Sequence, residues 1–247
     1  MNVARPTTVA VIPARGKSRG LPDKNLRKLA GLPLIAHSIL LARSLPEIDA
    51  CVVSTDSPNI RETAEDFGAS VFGLRPAELA GDETPMWPVL RHALETTCEA
   101  LKRSFDFLLL LDPTSPTRSP EQVTKALKRL AGSPEADGIV SVSQPDFNPV
   151  WHGVLEKNGW MEDLDDRAVG IQRRQDAPRI LRINGLLYAW RTRFVRESPS
   201  WRGAGRHLAF ETPESQAVSI DTPEQFARTD ALIRGGFLKL PWLEERR

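Results

Sequence analysis

Four cationic side chains lie close together near the amino terminus, in a segment that also contains two glycines. The cations are Arg15, Lys17, Arg19 and Lys24, and the glycines are Gly16 and Gly20. Guanidinium and ammonium groups neutralise phosphate oxygens, and glycine lets the backbone approach them closely. The spacing matches neither GxxxxGK[ST] nor GxGxxG. It predicts a site for a ligand with several negative charges, and a plain basic surface loop is the alternative.

Apolar runs predict the elements that position this segment and a second polar one. Residues 9–12 are apolar and mostly β-branched, which is typical of a buried parallel strand. The strongest apolar run, residues 107–111, ends at a polar segment over residues 112–118. Open α/β sheets bind ligands outside the carboxyl ends of their strands. Both polar segments are therefore expected at ligand-binding positions of an α/β fold.

Periodicity and turn residues predict the other elements. Helices are expected over residues 34–44, 84–102, 120–131 and 223–234, with another starting near Pro58. Strands are expected over residues 50–53, 70–72, 138–142, 186–190, 207–210 and 217–220. The charged tail, residues 241–247, is expected to fray.

The composition limits the classes of protein to which the chain can belong. A length of 247 residues with 40% apolar content suits one α/β domain, predicted over residues 1–247. The formal net charge of +1 argues against a nucleic-acid-binding protein. Two cysteines form no disulfide framework, which fits a reducing cytoplasm. No apolar run approaches the roughly 18 residues of a membrane span, so no membrane partner is expected.

The string IPARGKSRGLPDKN, residues 12–25, resembles the first motif of the acylneuraminate cytidylyltransferases. These enzymes make CMP-sialic acid and related CMP-ulosonic acids, and the motif is close to IPARxGSKGxxxKN. Lys17 and Arg19 depart from it, the latter replacing a lysine. The resemblance extends in motif order from about residue 9 to residue 222. It implies a Rossmann-like, mostly parallel sheet flanked by helices, with a small β-hairpin-containing dimerisation insertion.

The resemblance also implies which residues bind CTP. They are Arg15, Gly16, Arg19, Lys24, Asn25, Asp56 and Arg75, of which Arg15 and Lys24 are expected to be catalytic. Asp56 ends a Ser-Thr-Asp segment, and either Asp56 or Ser57 is positioned to cap a helix. Arg75 either reaches a phosphate or closes a salt bridge. Trp87 lies near a serine position that reads cytidine in the family, and is expected to offer apolar or stacking area instead.

Other motifs similar to those of the family imply an acceptor site for a sugar acid. Its expected residues are Asp112, Thr114, Ser115, Arg174, Gln175, Arg182, Asn184 and Tyr188. Bidentate recognition of the sugar carboxylate is expected from Arg174 first and Arg182 second, with a solvated basic face as the alternative. Asp112 replaces a glutamine, and an ionised carboxylate only accepts hydrogen bonds. The acidic sugar is therefore expected to differ from N-acetylneuraminate itself.

Residues 150–163 predict a β-hairpin that turns at Asn158-Gly159, with Trp151 and Trp160 on its two arms. Exposed aromatic residues on a hairpin favour a partner surface, and burial against the sheet is the alternative. The resemblance implies a homodimer. We expect residues 144–185 to form a protruding subdomain for dimerisation and sugar binding.

Asp221 is the expected metal ligand. The family has a DIDTxxD segment at this place, and Ser219 replaces its first aspartate. One carboxylate still suffices for Mg²⁺, which keeps several waters and is completed by substrate phosphates. A helix N-cap is the alternative role for Asp221.

Together these residues predict a cytidylyltransferase that transfers CMP from CTP to the anomeric hydroxyl of a nonulosonic acid and releases pyrophosphate. The alternatives are a CMP-Kdo-type synthetase, a glycosyltransferase of similar architecture and a non-catalytic nucleotide-binding relative.

Overall fold

A mixed six-stranded sheet forms the centre of the protein, whose computed structural model describes residues 5–244. The strands of the chain are β1 (Thr8–Pro13), β2 (Lys28–Leu29), β3 (Leu32–Pro33), β4 (Ala50–Ser54), β5 (Phe107–Leu110), β6 (Gly138–Ser143), β7 (Val154–Lys157), β8 (Trp160–Asp163), β9 (Arg182–Arg191) and β10 (His207–Glu211). The helices are α1 (Leu34–Arg43), α2 (Pro58–Asp66), α3 (Met86–Leu101), α4 (Pro120–Ala131), α5 (Pro149–His152), α6 (Thr192–Glu197), α7 (Pro223–Arg234) and α8 (Pro241–Glu244).

The strand order in the central sheet is β10-β6-β9-β5-β1-β4. β1 pairs in parallel with both β4 and β5, and β10 pairs in parallel with β6. Only β9 of this sheet runs antiparallel to its neighbours. The expected mostly parallel α/β fold is confirmed.

Helices cover both faces of this sheet because the side chains of each strand alternate between them. Ala10 and Ile12 of β1 face a core that includes α1, α2, α4, α7 and α8. Val9 and Val11 face a second core, formed with α3 and α6. Burial on both faces explains why β1 is apolar throughout its middle.

Two predicted helices have the predicted bounds because their first residues satisfy the free amides. Ser119 and Gln122 form a capping box at the start of α4. Thr222 and Gln225 form another at the start of α7. In both helices a proline follows the capping residue, where its missing N–H costs no hydrogen bond.

Two predicted strands are wrong. Ser70 forms only an isolated bridge with Val52, and residues 217–220 are irregular. The sheet edge beside β6 is already taken by β10, and the amide of Ile220 donates instead to the carbonyl of Thr114 at 2.9 Å.

Two predicted boundaries also need correction. The helix expected over 84–102 begins at Met86, because Pro85 has an extended backbone. The expected fraying is wrong for Pro241–Glu244, which is helical and buries Trp242. Residues 245–247 of that tail lie outside the described part of the chain.

β7 and β8 confirm the hairpin, and Asn158 and Gly159 both adopt positive φ at its turn. Trp160 is 77% exposed. Trp151 lies in α5 and not on a hairpin arm as expected, because Asn148 caps a helical turn there. Across residues 5–244, no helix is both long and apolar enough to cross a membrane.

Candidate active site

A cavity of about 400 Å³ opens at the carboxyl ends of β1 and β5. The predicted residues that line it are Arg15, Arg19, Lys24, Asn25, Arg75, Asp112, Thr114 and Asp221. They come from segments far apart in the sequence, which the parallel strands bring to one edge of the sheet.

Two of the lining arginines share one carboxylate. Arg15 Nη1 and Arg19 Nε each donate to a different oxygen of Asp82, both at 2.6 Å. The hydrogen bond from Arg19 is the main cause that holds the pKa of Asp82 below its ordinary value. Sequence reasoning missed Asp82, and its only signal was an acidic residue that follows Arg75 by seven positions.

Lys24 and Asp221 form an ion pair of 2.9 Å across the cavity. Ser219 Oγ donates to the other carboxylate oxygen at 2.8 Å. Burial raises the pKa of Asp221, but the hydrogen bonds from Lys24 and Ser219 bring it below its ordinary value. Thr222, and not Asp221, caps α7, so the alternative role expected for Asp221 is wrong.

The cationic loop is fixed by contacts of its backbone. The backbone amide of Gly16 donates to the carboxylate of Asp56 at 2.8 Å. The side-chain amide of Asn25 donates to the backbone carbonyl of Arg15 at 3.2 Å. Ser57 caps α2, so Asp56 is free to hold the loop. A Cβ at Gly20 would lie 2.3 Å from the Asp221 carbonyl oxygen, so only glycine fits this approach.

Arg75 anchors the end of β4 beside the cavity. Its guanidinium donates to the hydroxyl and the carbonyl of Ser54, at 3.0 and 2.5 Å. Burial lowers its pKa, and the charge of Asp56 opposes this shift. Within residues 5–244, Arg75 has no carboxylate at ion-pair distance, so the salt-bridge alternative is wrong.

The buried guanidinium of Arg118 holds the loop after β5 in place. Asp112 Oδ1 accepts from the amide and the hydroxyl of Thr114, both at 2.9 Å. Arg118 donates to the carbonyls of Asp112 and Ser115, and to Ser38 Oγ. Burial lowers the pKa of Arg118 to about 10. Sequence reasoning gave Arg118 no role, although it ends the polar segment.

Three of the residues expected to bind the sugar acid lie on β9. Asn184 is buried, accepts from Ser141 Oγ at 2.6 Å and donates to Thr212 at 2.7 Å. Arg182 pairs with Glu214 at 2.7 Å. The ring of Tyr188 stacks on Trp190, with centroids 5.6 Å apart.

The pKa of Tyr188 is affected by the loop after β5. Burial, and then the charge of Asp112, raises the pKa of its hydroxyl. Tyr188 pairs with Leu110, the last residue of β5, and this pairing places it near the loop that carries Asp112.

Arg174 and Gln175 are not brought to this cavity. They line a different cavity of about 420 Å³, together with His152 and Arg179.

Trp87 does not face the main cavity as expected. Its indole is buried against Trp190 and donates to the Ser198 carbonyl at 2.8 Å, so it offers no stacking surface.

The chain is similar to known proteins both in sequence and in fold. Residues 9–232 match the family described as Cytidylyltransferase. A CMP-N,N'-diacetyllegionaminic acid synthase of Legionella pneumophila is 34% identical over 233 residues, 91% of this chain and 95% of that protein. The enzyme of the same name from Campylobacter jejuni is 33% identical, over 91% of this chain and 94% of its own.

Among solved structures, a CMP:2-keto-3-deoxy-manno-octonic acid synthetase complexed with CTP has a TM-score of 0.72 at 19% identity. The similarity covers 93% of this chain and 99% of that one, and it concerns the fold. With the family match over nearly its whole length, the chain belongs to the cytidylyltransferase family.

Proposed function

We propose that the protein transfers CMP from CTP to the anomeric hydroxyl of a nonulosonic acid and releases pyrophosphate. The observation that carries this proposal is the convergence of Arg15, Arg19 and Lys24 on one cavity at the ends of β1 and β5. The names of the relatives that are 33–34% identical supply the acceptor class.

The alternatives receive less support. The CMP:2-keto-3-deoxy-manno-octonic acid synthetase shares only 19% identity, against 34% for the legionaminic acid enzyme. A glycosyltransferase is expected to have an Asp-x-Asp pair after a central strand, whereas Asp112 is followed by Pro113 and Thr114. The relatives that are 33–34% identical are named as synthases, which disfavours a non-catalytic nucleotide-binding role.

The reaction forms a bond between the anomeric oxygen and the α-phosphorus and breaks the bond from that phosphorus to the pyrophosphate oxygen. The hydroxyl proton passes to water, so that CTP and the acid give the CMP-linked acid, pyrophosphate and one proton. Such transfers depend on positioning and on neutralising the charge of the leaving group. Arg15, Arg19 and Lys24 would offset the phosphate charges, because all three line the cavity.

Mg²⁺ is part of the proposal. No cluster of three or more His, Cys, Asp or Glu residues that fits a metal ion occurs in the described part of the chain. Mg²⁺ nevertheless needs only one or two protein carboxylates beside substrate phosphates. Asp221 fits this need because its carboxylate lines the cavity next to Lys24. Asp221 would hold the ion, which would neutralise negative charge on the phosphates of CTP.

For the acceptor, we propose that Asp112, Thr114 and Tyr188 lie beside the sugar. Asp112 and Thr114 line the cavity, and Tyr188 lies opposite Leu110 at the end of β5. Roles for Ser115, Arg182 and Asn184 in binding the acid belong to the same proposal. Arg174 and Gln175 line the other cavity of their own chain, so we propose that they act on acid bound by a partner subunit.

If Arg174 and Gln175 act on acid bound by a partner subunit, two copies of the chain must associate. We therefore propose a homodimer that forms through the subdomain of residues 144–185. The hairpin exposes Val154, Trp160 and Met161, of which Trp160 is 77% and Met161 73% exposed. Exposed apolar side chains on neighbouring strands are typical of a surface that binds a partner. We also propose a reducing, cytoplasmic compartment, which two free cysteines support.

The test is release of pyrophosphate from CTP and Mg²⁺ with each of four acids: N,N'-diacetyllegionaminate, N-acetylneuraminate, pseudaminate and Kdo. We expect turnover with a nonulosonic acid and little with Kdo. Release that occurs without any acid, or with Kdo alone, contradicts the proposal.

A further inference from the structure

Asp82 lies between two of the cations to which the proposed function assigns phosphate. Its oxygens accept separately from Arg15 and Arg19, each at 2.6 Å. Arg15 Nη1 also donates to the Gly81 carbonyl at 3.4 Å. A carboxylate whose two oxygens meet two guanidinium groups makes the contacts that a phosphate group would make there.

The segment that carries Asp82 is joined to the cationic loop mainly through these bonds. It connects the short 3-10 turn Ala77–Leu79 to α3. Its other hydrogen bonds are local, from the Thr84 amide to Gly81 at 3.2 Å and from the Thr84 hydroxyl to Glu78 at 3.4 Å. In the range 5–244, the hydrogen bonds that link residues 80–85 to the cationic loop all come from Arg15 and Arg19.

An anion with more negative charges can displace Asp82 from its two ion pairs, because these pairs are partly exposed. The side chains of Asp82 and Arg19 are 37% and 68% exposed. Exposed ion pairs contribute little and are weakened by salt. A polyphosphate offers several negative charges to the same guanidinium groups, whereas Asp82 offers one.

We propose that Asp82 occupies a phosphate position in the ligand-free enzyme, so that CTP and pyrophosphate bind by displacing it. This inference rests on the proposed function, because it takes Arg15 and Arg19 as phosphate ligands. Asp82 thereby determines affinity for polyphosphates, and it weakens the binding of both the substrate and the leaving product.

The experiment measures binding of CTP and of pyrophosphate by calorimetry to the unaltered full chain, Asp82→Asn and Glu83→Gln. Glu83 is the matched control, because it is the adjacent carboxylate and is exposed. Asp82→Asn should bind pyrophosphate about threefold to tenfold more tightly, since no internal anion competes. Glu83→Gln should bind as the unaltered protein does, and the difference should shrink at high salt.

Unchanged or weaker pyrophosphate binding by Asp82→Asn, with an unaltered melting temperature, overturns the inference. If that variant does not fold, Asp82→Ser carries the same expectation. Arg15→Ala separates the two proposals. If it binds pyrophosphate as well as the unaltered protein, the phosphate assignment fails. If it binds more weakly but Asp82→Asn does not bind more tightly, only the displacement fails.

Discussion

The cationic loop at residues 15–24 and the arginine cluster at residues 173–182 carry similar charge but have different surroundings. In the loop, the carboxylate partners are distant in sequence: Arg15 and Asp82 are 67 residues apart, and Lys24 and Asp221 are 197 apart. In the cluster, Arg173 pairs with Asp176, three residues away, and the partners of Arg179 and Arg182 are each 32 residues away.

The two regions also differ in their relation to the central sheet. The loop directly follows β1, and its side chains line a cavity with residues from other strand ends. The cluster leads into β9 and includes its first residue, Arg182. Arg179 and Arg182 pair with Glu211 and Glu214 near the far edge of the sheet. We therefore infer the nucleotide site from the convergence of distant segments at strand ends, and not from charge density alone.

Removing a loop cation should have the largest effect. We expect Lys24→Ala to lower kcat/KM about 10²- to 10³-fold, because it removes a donor to the transferring phosphates. Arg173→Ala, the matched change in the cluster, should lower it less than about threefold, since exposed residues with local partners contribute little. Pyrophosphate release measures both. Equal losses in the two variants would erase the distinction between the regions.

Acid should destabilise the core beneath the loop. His37 is buried, accepts at Nδ1 from the Trp242 indole at 3.0 Å and lies 2.9 Å from the Leu29 carbonyl through Nε2. Indole only donates, so the imidazole is neutral and Nε2 donates to Leu29. Burial lowers the pKa of His37 from 6.5 to about 4.

Between pH 6.5 and about 4, His37 is therefore protonated in the unfolded chain but neutral in the folded chain. Stability from His37 is fully present above pH 6.5 and falls as the pH drops to about 4, by up to about 3 kcal/mol. Urea unfolding at several pH values measures this loss. His37→Gln should lessen the pH dependence, and His152→Gln, an exposed change near the hairpin, should not. A pH profile that is the same in all three proteins would contradict this account.

A smaller effect is expected from crowding the loop against Asp221. Gly20→Ala places a Cβ 2.3 Å from the Asp221 carbonyl oxygen. The backbone must shift, which we expect to lower the free energy of unfolding by about 1–3 kcal/mol and to raise the KM for CTP. Gly170→Ala, where a Cβ meets nothing within 4 Å, is the control. Thermal melting and initial rates compare them, and a Gly20→Ala protein that behaves like Gly170→Ala would show that the close approach is unimportant.

The smallest effect on the fold is expected at the hairpin. Trp160→Ser should change the free energy of unfolding by less than about 0.5 kcal/mol, because the side chain is mostly exposed. It should instead reduce the molar mass in light scattering from that of a dimer towards that of a monomer. A large loss of stability with an unchanged mass would indicate that Trp160 packs within its own chain.

Much of the site could be predicted because its residues follow strong local signals. Arg15 and Asp112 come directly after apolar strands, and a strand end fixes where the next residues lie. Asp82 could not be predicted in the same way. Its contact with Arg15 depends on how two loops 67 residues apart approach each other, and no periodicity records that approach.

The wrong expectations have a related cause. Residues 217–220 have an apolar pattern that suits a strand, but β10 already occupies the edge beside β6. Trp87 was expected at the nucleotide, yet the periodicity of α3 turns it towards Trp190. In both cases tertiary packing decided between structures that the local sequence permits equally.

The most direct test compares the affinities of CTP and cytidine for the unaltered protein, Arg15→Ala and Arg173→Ala by calorimetry. If the cationic loop holds the triphosphate, CTP should bind far more tightly than cytidine. Arg15→Ala should reduce that ratio at least about tenfold, and Arg173→Ala should leave it unchanged. A ratio that survives in Arg15→Ala, or that falls equally in Arg173→Ala, would contradict the assignment of the phosphates to this loop.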